Sequence, residues 1–106
     1  MAHTVIVVYR PHEGKSDELV QLLKTHLPIL REQGLATAME SVVLRAADGA
    51  LLEIFDWVSG EAVEAAHTNK VVQAMWEQFA AVCDYATLDS LSEAEKVFAH
   101  FERLDL

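Results

Sequence analysis

Two hydrophobic rhythms alternate along the chain, and their order predicts the fold. From His3 to Arg10 the run Val5, Ile6, Val7, Val8, Tyr9 is β-branched and aromatic and ends at Pro11, as a strand does. Ser16 then opens a helix as its N-cap, with Asp17 and Glu18 in the first turn, where the helix dipole favours acids. Leu19, Leu23, Leu27 and Leu30 recur at helical spacing, with Leu22 and His26 flanking them; Pro28 should bend this helix and Gly34 stop it. Thr37 to Ala46 alternates as a second strand, Asp48-Gly49 marks a hairpin, and Leu51 to Trp57 follows as the third strand. Ser59 caps a two-turn helix through Ala66. Asn69 caps a longer one, from Lys70 to about Asp84, with Val71, Met75, Phe79 and Val82 on one stripe and Val72 and Trp76 beside it. Tyr85 to Leu91 reads as a fourth strand, and the capping box Ser92-Glu93-Ala94-Glu95 predicts a last helix carrying Val97, Phe98, Phe101 and Leu104.

The order β-α-β-β-α-β plus a C-terminal helix is the split β-α-β arrangement of ferredoxin-like folds, an α+β architecture with four antiparallel strands and its helices on one face. Small ligand-binding regulatory domains share that order. No repeat, linker or low-complexity stretch divides the 106 residues, so residues 1–106 are expected to form one domain. Such a sheet should be polar on its uncovered face. Here the first strand presents Thr4, Ile6 and Val8 one way and Val5, Val7 and Tyr9 the other; the third presents Leu51, Phe55 and Trp57 against Leu52 and Ile54. Two apolar faces call for a second cover, and the expectation is a homodimer, with the last helix as a further cover.

Composition narrows the partners. Eight Lys and Arg against 17 Asp and Glu give a formal charge of −9, which repels phosphate backbones and anionic lipid and argues against nucleic-acid and membrane partners. The single cysteine, Cys83, allows no internal disulfide and no cysteine-based zinc site, and its apolar helical neighbours read as core. MAHTVIVVYR has neither the basic segment nor the long apolar stretch of a signal peptide, so the expected location is cytoplasmic.

One stretch carries a resemblance. A strand ending in Trp57, then S-G-E-A-V-E-A-A-H, then the aromatic-bearing VVQAMWEQF is similar to the antibiotic biosynthesis monooxygenase domain family, whose members are dimeric α/β barrels built from two ferredoxin-like sheets. The likeness in element order covers about residues 3 to 91. It implies a cavity between sheet and helices in each protomer, and oxidation of an aromatic or quinol-like small molecule by molecular oxygen with no cofactor, neither metal nor flavin. A related branch degrades haem through an asparagine, a tryptophan and a histidine; Tyr9, Ala66 and Trp76 stand at roughly those positions and match none of them.

The residues themselves leave alternatives open. His67 ends the short helix, where a ring nitrogen can bond a free carbonyl, and it also has the side chain of a general base near neutrality. By the resemblance it is the catalytic candidate. Trp57 and Trp76 can stack on a planar ligand or fill the core, and Tyr9 and Tyr85 can orient a phenolic oxygen or sit as ordinary strand aromatics. Those four are the candidate substrate-binding residues. Glu53 and Asp56 lie on opposite faces of the third strand and cannot act as a pair; a cross-strand partner such as Arg45 is the expected answer to Glu53's charge. His3, His12, His26 and His100 show no metal-ligand spacing, and no metal site is expected. The rival to an enzyme is a non-catalytic dimer carrying a small apolar ligand.

Overall fold

Five antiparallel strands and three helices make up the computed structural model, which covers residues 1–106. The strands are β1 (His3–Pro11), β2 (Val42–Arg45), β3 (Leu51–Trp57), β4 (Cys83–Ala86) and β5 (Glu102–Leu104), in the spatial order β4-β1-β3-β2-β5. The helices are α1 (Ser16–Glu32), α2 (Gly60–Thr68) and α3 (Lys70–Val82). The first four strands have the expected ferredoxin-like order, with β1 central and β3 beside it.

Local chemistry explains most boundaries. Ser59 Oγ accepts the Ala62 N–H at 3.2 Å and Asn69 Oδ1 the Val72 N–H at 3.1 Å, so α2 and α3 begin where their caps predict. Gly34 takes φ +72° just beyond α1, and Leu35 N–H closes back on the Leu30 carbonyl at 2.9 Å. At the β2–β3 hairpin Asp48 Oδ1 accepts the Ala50 N–H at 3.0 Å. One cap and one stripe position differ from expectation. Ser16 is the first helical residue of α1 and makes no side-chain cap. In α3 it is Val72, not Val71, that joins Met75, Phe79 and Val82 in the core, because Val72 follows the Asn69 cap on the sheet-facing side.

The C-terminal helix does not form. Residues Leu88–Ser90 and Ser92–Glu95 make two single 3-10 turns, and the chain then passes through bends at residues 96–98 to β5, which pairs with β2. Tertiary contacts outcompete the capping box: Leu91 is buried against Val8, Ala46, Ala50 and Leu52, and Glu93 turns its carboxylate to the Ala47 N–H at 2.8 Å. That bond is the main reason its carboxyl sits below the usual range. Arg45, the partner expected for Glu53, meets Glu102 of β5 at 3.3 Å instead. The sheet therefore has five strands, not four. β2 is shorter than Thr37–Ala46 because Arg31 draws the chain aside through the Thr37 and Met39 carbonyls. β4 is displaced to Cys83–Ala86 by its register with β1, which runs from Pro11↔Cys83 to Val8↔Ala86.

The two faces of the sheet differ. The helix-covered face holds the main core, including Tyr9, Leu51, Phe55 and Trp57 from the strands and the leucine stripe of α1. On the other face Val8 and Leu52 lie under Leu91 and Phe101, whereas Ile6 remains 44% exposed. No helix of the chain is long and apolar enough to cross a membrane.

Candidate functional site

Alternation along β1 and β3 aims Val5, Val7 and Tyr9 together with Phe55 and Trp57 at the helices, and the helices do not fill the space above them. A cavity of about 730 Å³ results, within the range of small-molecule sites. α1 contributes His26, α2 contributes Val63 and His67, α3 contributes Gln73, Trp76, Glu77 and Ala80, and β4 contributes Tyr85. The five residues singled out in the sequence, Tyr9, Trp57, His67, Trp76 and Tyr85, all line this one space.

Each is held in a defined way. The His67 ring has Nδ1 2.8 Å from the Val63 carbonyl; a carbonyl only accepts, so Nδ1 carries the proton and Nε2 keeps its lone pair. The same ring meets the Trp76 indole edge-on at 5.2 Å, and Gln73 Nε2 donates to the His67 carbonyl at 2.6 Å. Trp57 is buried and tilts against Phe55 at 5.3 Å. Tyr85 stands at the rim, half exposed, with its ring 5.5 Å from that of Tyr9.

The floor holds the group that spacing alone did not reveal. Glu53 is fully buried, and its Oε1 accepts two hydrogen bonds, from the Tyr9 hydroxyl at 2.8 Å and from His26 Nδ1 at 2.7 Å. Sheet register makes the first possible: Glu53 faces Val7 and Tyr9 faces Leu51, so Tyr9 and Glu53 are diagonal neighbours on one face. Helix geometry makes the second possible, since His26 lies three residues after Leu23 and four before Leu30, in the middle of the stripe that packs on the sheet. Phe55 and Phe79 clamp the imidazole edge-on at 5.2 and 5.3 Å. The signals were present: parity places Glu53 on the face of Leu51, Phe55 and Trp57, and a histidine interrupts an apolar stripe. Neither showed that the two would meet.

Burial, and next the charge of Glu53, pushes the Tyr9 hydroxyl well above the ordinary tyrosine range. Burial also pushes the Tyr85 hydroxyl up to about 12 and the Cys83 thiol up to about 11, so both remain protonated at neutral pH. A raised phenol pKa in the folded state is a stabilising contribution complete below the unfolded value of about 10 and lost as pH rises through the folded value. Phenolate absorbance of the native protein should therefore stay low at pH 10, where unfolded chain is half ionised. A native protein as fully ionised at pH 10 as the unfolded chain would contradict the burial of Tyr9, which is 2% exposed.

No protein-family model and no curated protein sequence matches the chain. In three dimensions it is similar to SnoaB, a cofactor-independent oxygenase from Streptomyces nogalater, whose crystal structure superposes with a TM-score of 0.66 at 14% identity over 80% of this chain and 86% of that one. The fold is thus the one expected from the sequence resemblance.

Proposed function

We propose that the protein is a cofactor-independent oxygenase that binds a planar aromatic or quinol-like molecule in this cavity and oxidises it with molecular oxygen. The observation that carries the reading is the cavity itself: an aromatic-walled, largely apolar space reached by two imidazoles, in a fold similar to that of an oxygenase. Such chemistry asks for a base, a dry wall and hydrogen bonds to a developing oxyanion. Loss of a proton from an activated ring methylene leaves a delocalised carbanion. Oxygen takes its electrons and forms a C–O bond; the resulting hydroperoxide loses water to leave a carbonyl, so one oxygen molecule and one methylene give one quinone carbonyl and one water. His67, with Nε2 free at the rim, accepts the substrate's phenolic O–H, and Trp57, Trp76, Tyr9 and Tyr85 shape the space around the rings. A cytoplasmic setting suits the free, buried Cys83.

Oxygen uptake across a panel of hydroquinones and anthrone-like phenols tests this. Uptake that needs the folded protein, yields the quinone, and falls roughly tenfold or more in His67→Ala is the expected result. Binding of the same compounds with no oxygen consumed would replace the enzyme with the rival, a small-molecule-binding protein.

The reading includes a homodimer. Val42, Ile54 and Ile6 lie in register across β2, β3 and β1 on the uncovered face, and Ile6 is exposed there. A second copy laid on this row would remove it from water. Ile6→Glu should then shift the protein from dimer to monomer in sedimentation experiments, while a wild-type monomer at micromolar concentration would defeat this part of the reading.

A further inference from the structure

We infer that His26, held by the buried carboxylate of Glu53, is the general base that takes the carbon-bound proton of the substrate. This rests on the reading of the cavity as an oxygenase site, which by itself assigns the carbon-bound proton to no residue.

Three observations converge. A carboxylate oxygen cannot donate, so His26 Nδ1 carries the proton in the 2.7 Å contact and Nε2 is left as the basic nitrogen. Nε2 has no hydrogen-bond partner within the chain, yet the fully enclosed side-chain polar atom left without a partner is Glu53 Oε2 and not this one; Nε2 thus keeps its access to the cavity that His26 lines. Lastly, Glu53 is a poor choice for stability. A wholly buried carboxylate with one oxygen unpartnered costs more than a well-packed apolar residue would. What it supplies is a fixed imidazole tautomer and a negative charge beside the imidazolium that forms when Nε2 takes a proton. Tyr9 shares Oε1 and stays a donor, because burial holds its hydroxyl neutral. His67 has only a backbone carbonyl at its Nδ1, a dipole and no charge.

In the step, the C–H bond breaks, its electron pair stays on the ring as an enolate-like carbanion, and the proton passes to Nε2. The carbanion gives its electrons to molecular oxygen as the C–O bond forms. The peroxide anion recovers the proton from His26, and loss of water completes the carbonyl. His26 is the catalytic residue; Glu53 is a positioning residue.

The test separates proton removal from oxygen chemistry. Anthrone in deuterated buffer without oxygen is mixed with the full chain, and exchange of its ring methylene protons is followed by NMR above the rate in buffer. Wild type should accelerate exchange. His26→Gln should lose about 10²–10⁴-fold of that acceleration, and Glu53→Gln, which keeps an acceptor for Tyr9, roughly 10–100-fold, with anthrone affinity within about threefold in both. His100→Gln, at an exposed histidine far from the floor in sequence, serves as the control and should exchange as wild type does. Should His26→Gln fail to fold, Glu53→Gln reads the same property. Exchange unchanged in either folded variant overturns the inference, and if oxygen uptake persists there, the oxygenase reading survives without it. Exchange that needs His26 but leads to no oxygen uptake upholds the base and overturns the oxygenase. Anthrone bound with neither exchange nor uptake overturns both.

Discussion

Glu53→Ala lowers the stability of the fold by about 3–5 kcal/mol, the usual cost of breaking a buried charge pair from one side. For a domain of this size that is roughly 15–30 °C in melting temperature. The reason lies in what stays behind. The Tyr9 hydroxyl and His26 Nδ1–H converge on a single carboxylate oxygen and have no other partner. With the carboxylate gone, two donors are stranded in a core where Tyr9 is 2% and His26 4% exposed. Glu53→Gln should cost far less, because an amide oxygen still accepts. Chemical denaturation followed by far-UV circular dichroism gives both values. A loss below about 1 kcal/mol in Glu53→Ala would mean that the network is wetter than its burial shows.

Phe79→Ala should cost a similar amount, about 3–5 kcal/mol. Phe79 is 1% exposed on α3, stacks on Tyr9 with ring centroids 5.5 Å apart, and meets the His26 ring edge-on at 5.3 Å. Its removal leaves a void beside the floor network and unpins α3 from the sheet. Phe98→Ala is the internal comparison, since that ring is 79% exposed and its loss should change stability by no more than about 0.5 kcal/mol. Equal effects at the two positions would contradict the fold of the C-terminal segment.

Those two phenylalanines also show how far pattern reading reaches. Both sit in helical-looking apolar stripes, at 79 among Met75 and Val82 and at 98 among Val97 and Phe101. The first stripe is long and capped by Asn69, and it packs on a strand face already apolar, so local and global preferences agree. The second is short and acidic at its start, and its anchor, Leu91, gains more by burial against Val8 and Leu52 than by joining a helix. Phe101 follows Leu91 to that second core, Leu104 lands on β5, and Val97 and Phe98 are left outside. Nothing within residues 92–104 announces this, because the competing surface belongs to β1 and β3.

The candidate site divides in the same way. Its walls were named through the family resemblance, which implied the cavity; the residues themselves left Tyr9, Trp57 and Trp76 open between core and pocket, and His67 between helix end and base, and all of these line the one space. Its floor was not so named. His26 and Glu53 are 27 residues apart in sequence and read separately as a flanking polar residue and a cross-strand partner for Arg45. β5 took Arg45 away through Glu102, and α1 laid His26 over the sheet where Glu53 points inward.

By itself, then, the sequence determined the strand and helix order and the ferredoxin-like arrangement of the first four strands, because these follow from side-chain period, caps and turns acting within a few residues. Only the tertiary structure decided the fifth strand in place of a helix, the second small core beneath Leu91, and the meeting of Tyr9, Glu53 and His26. These depend on which distant surfaces compete for one side chain, and on the high cost of leaving a buried charge without donors, a cost no local window can register.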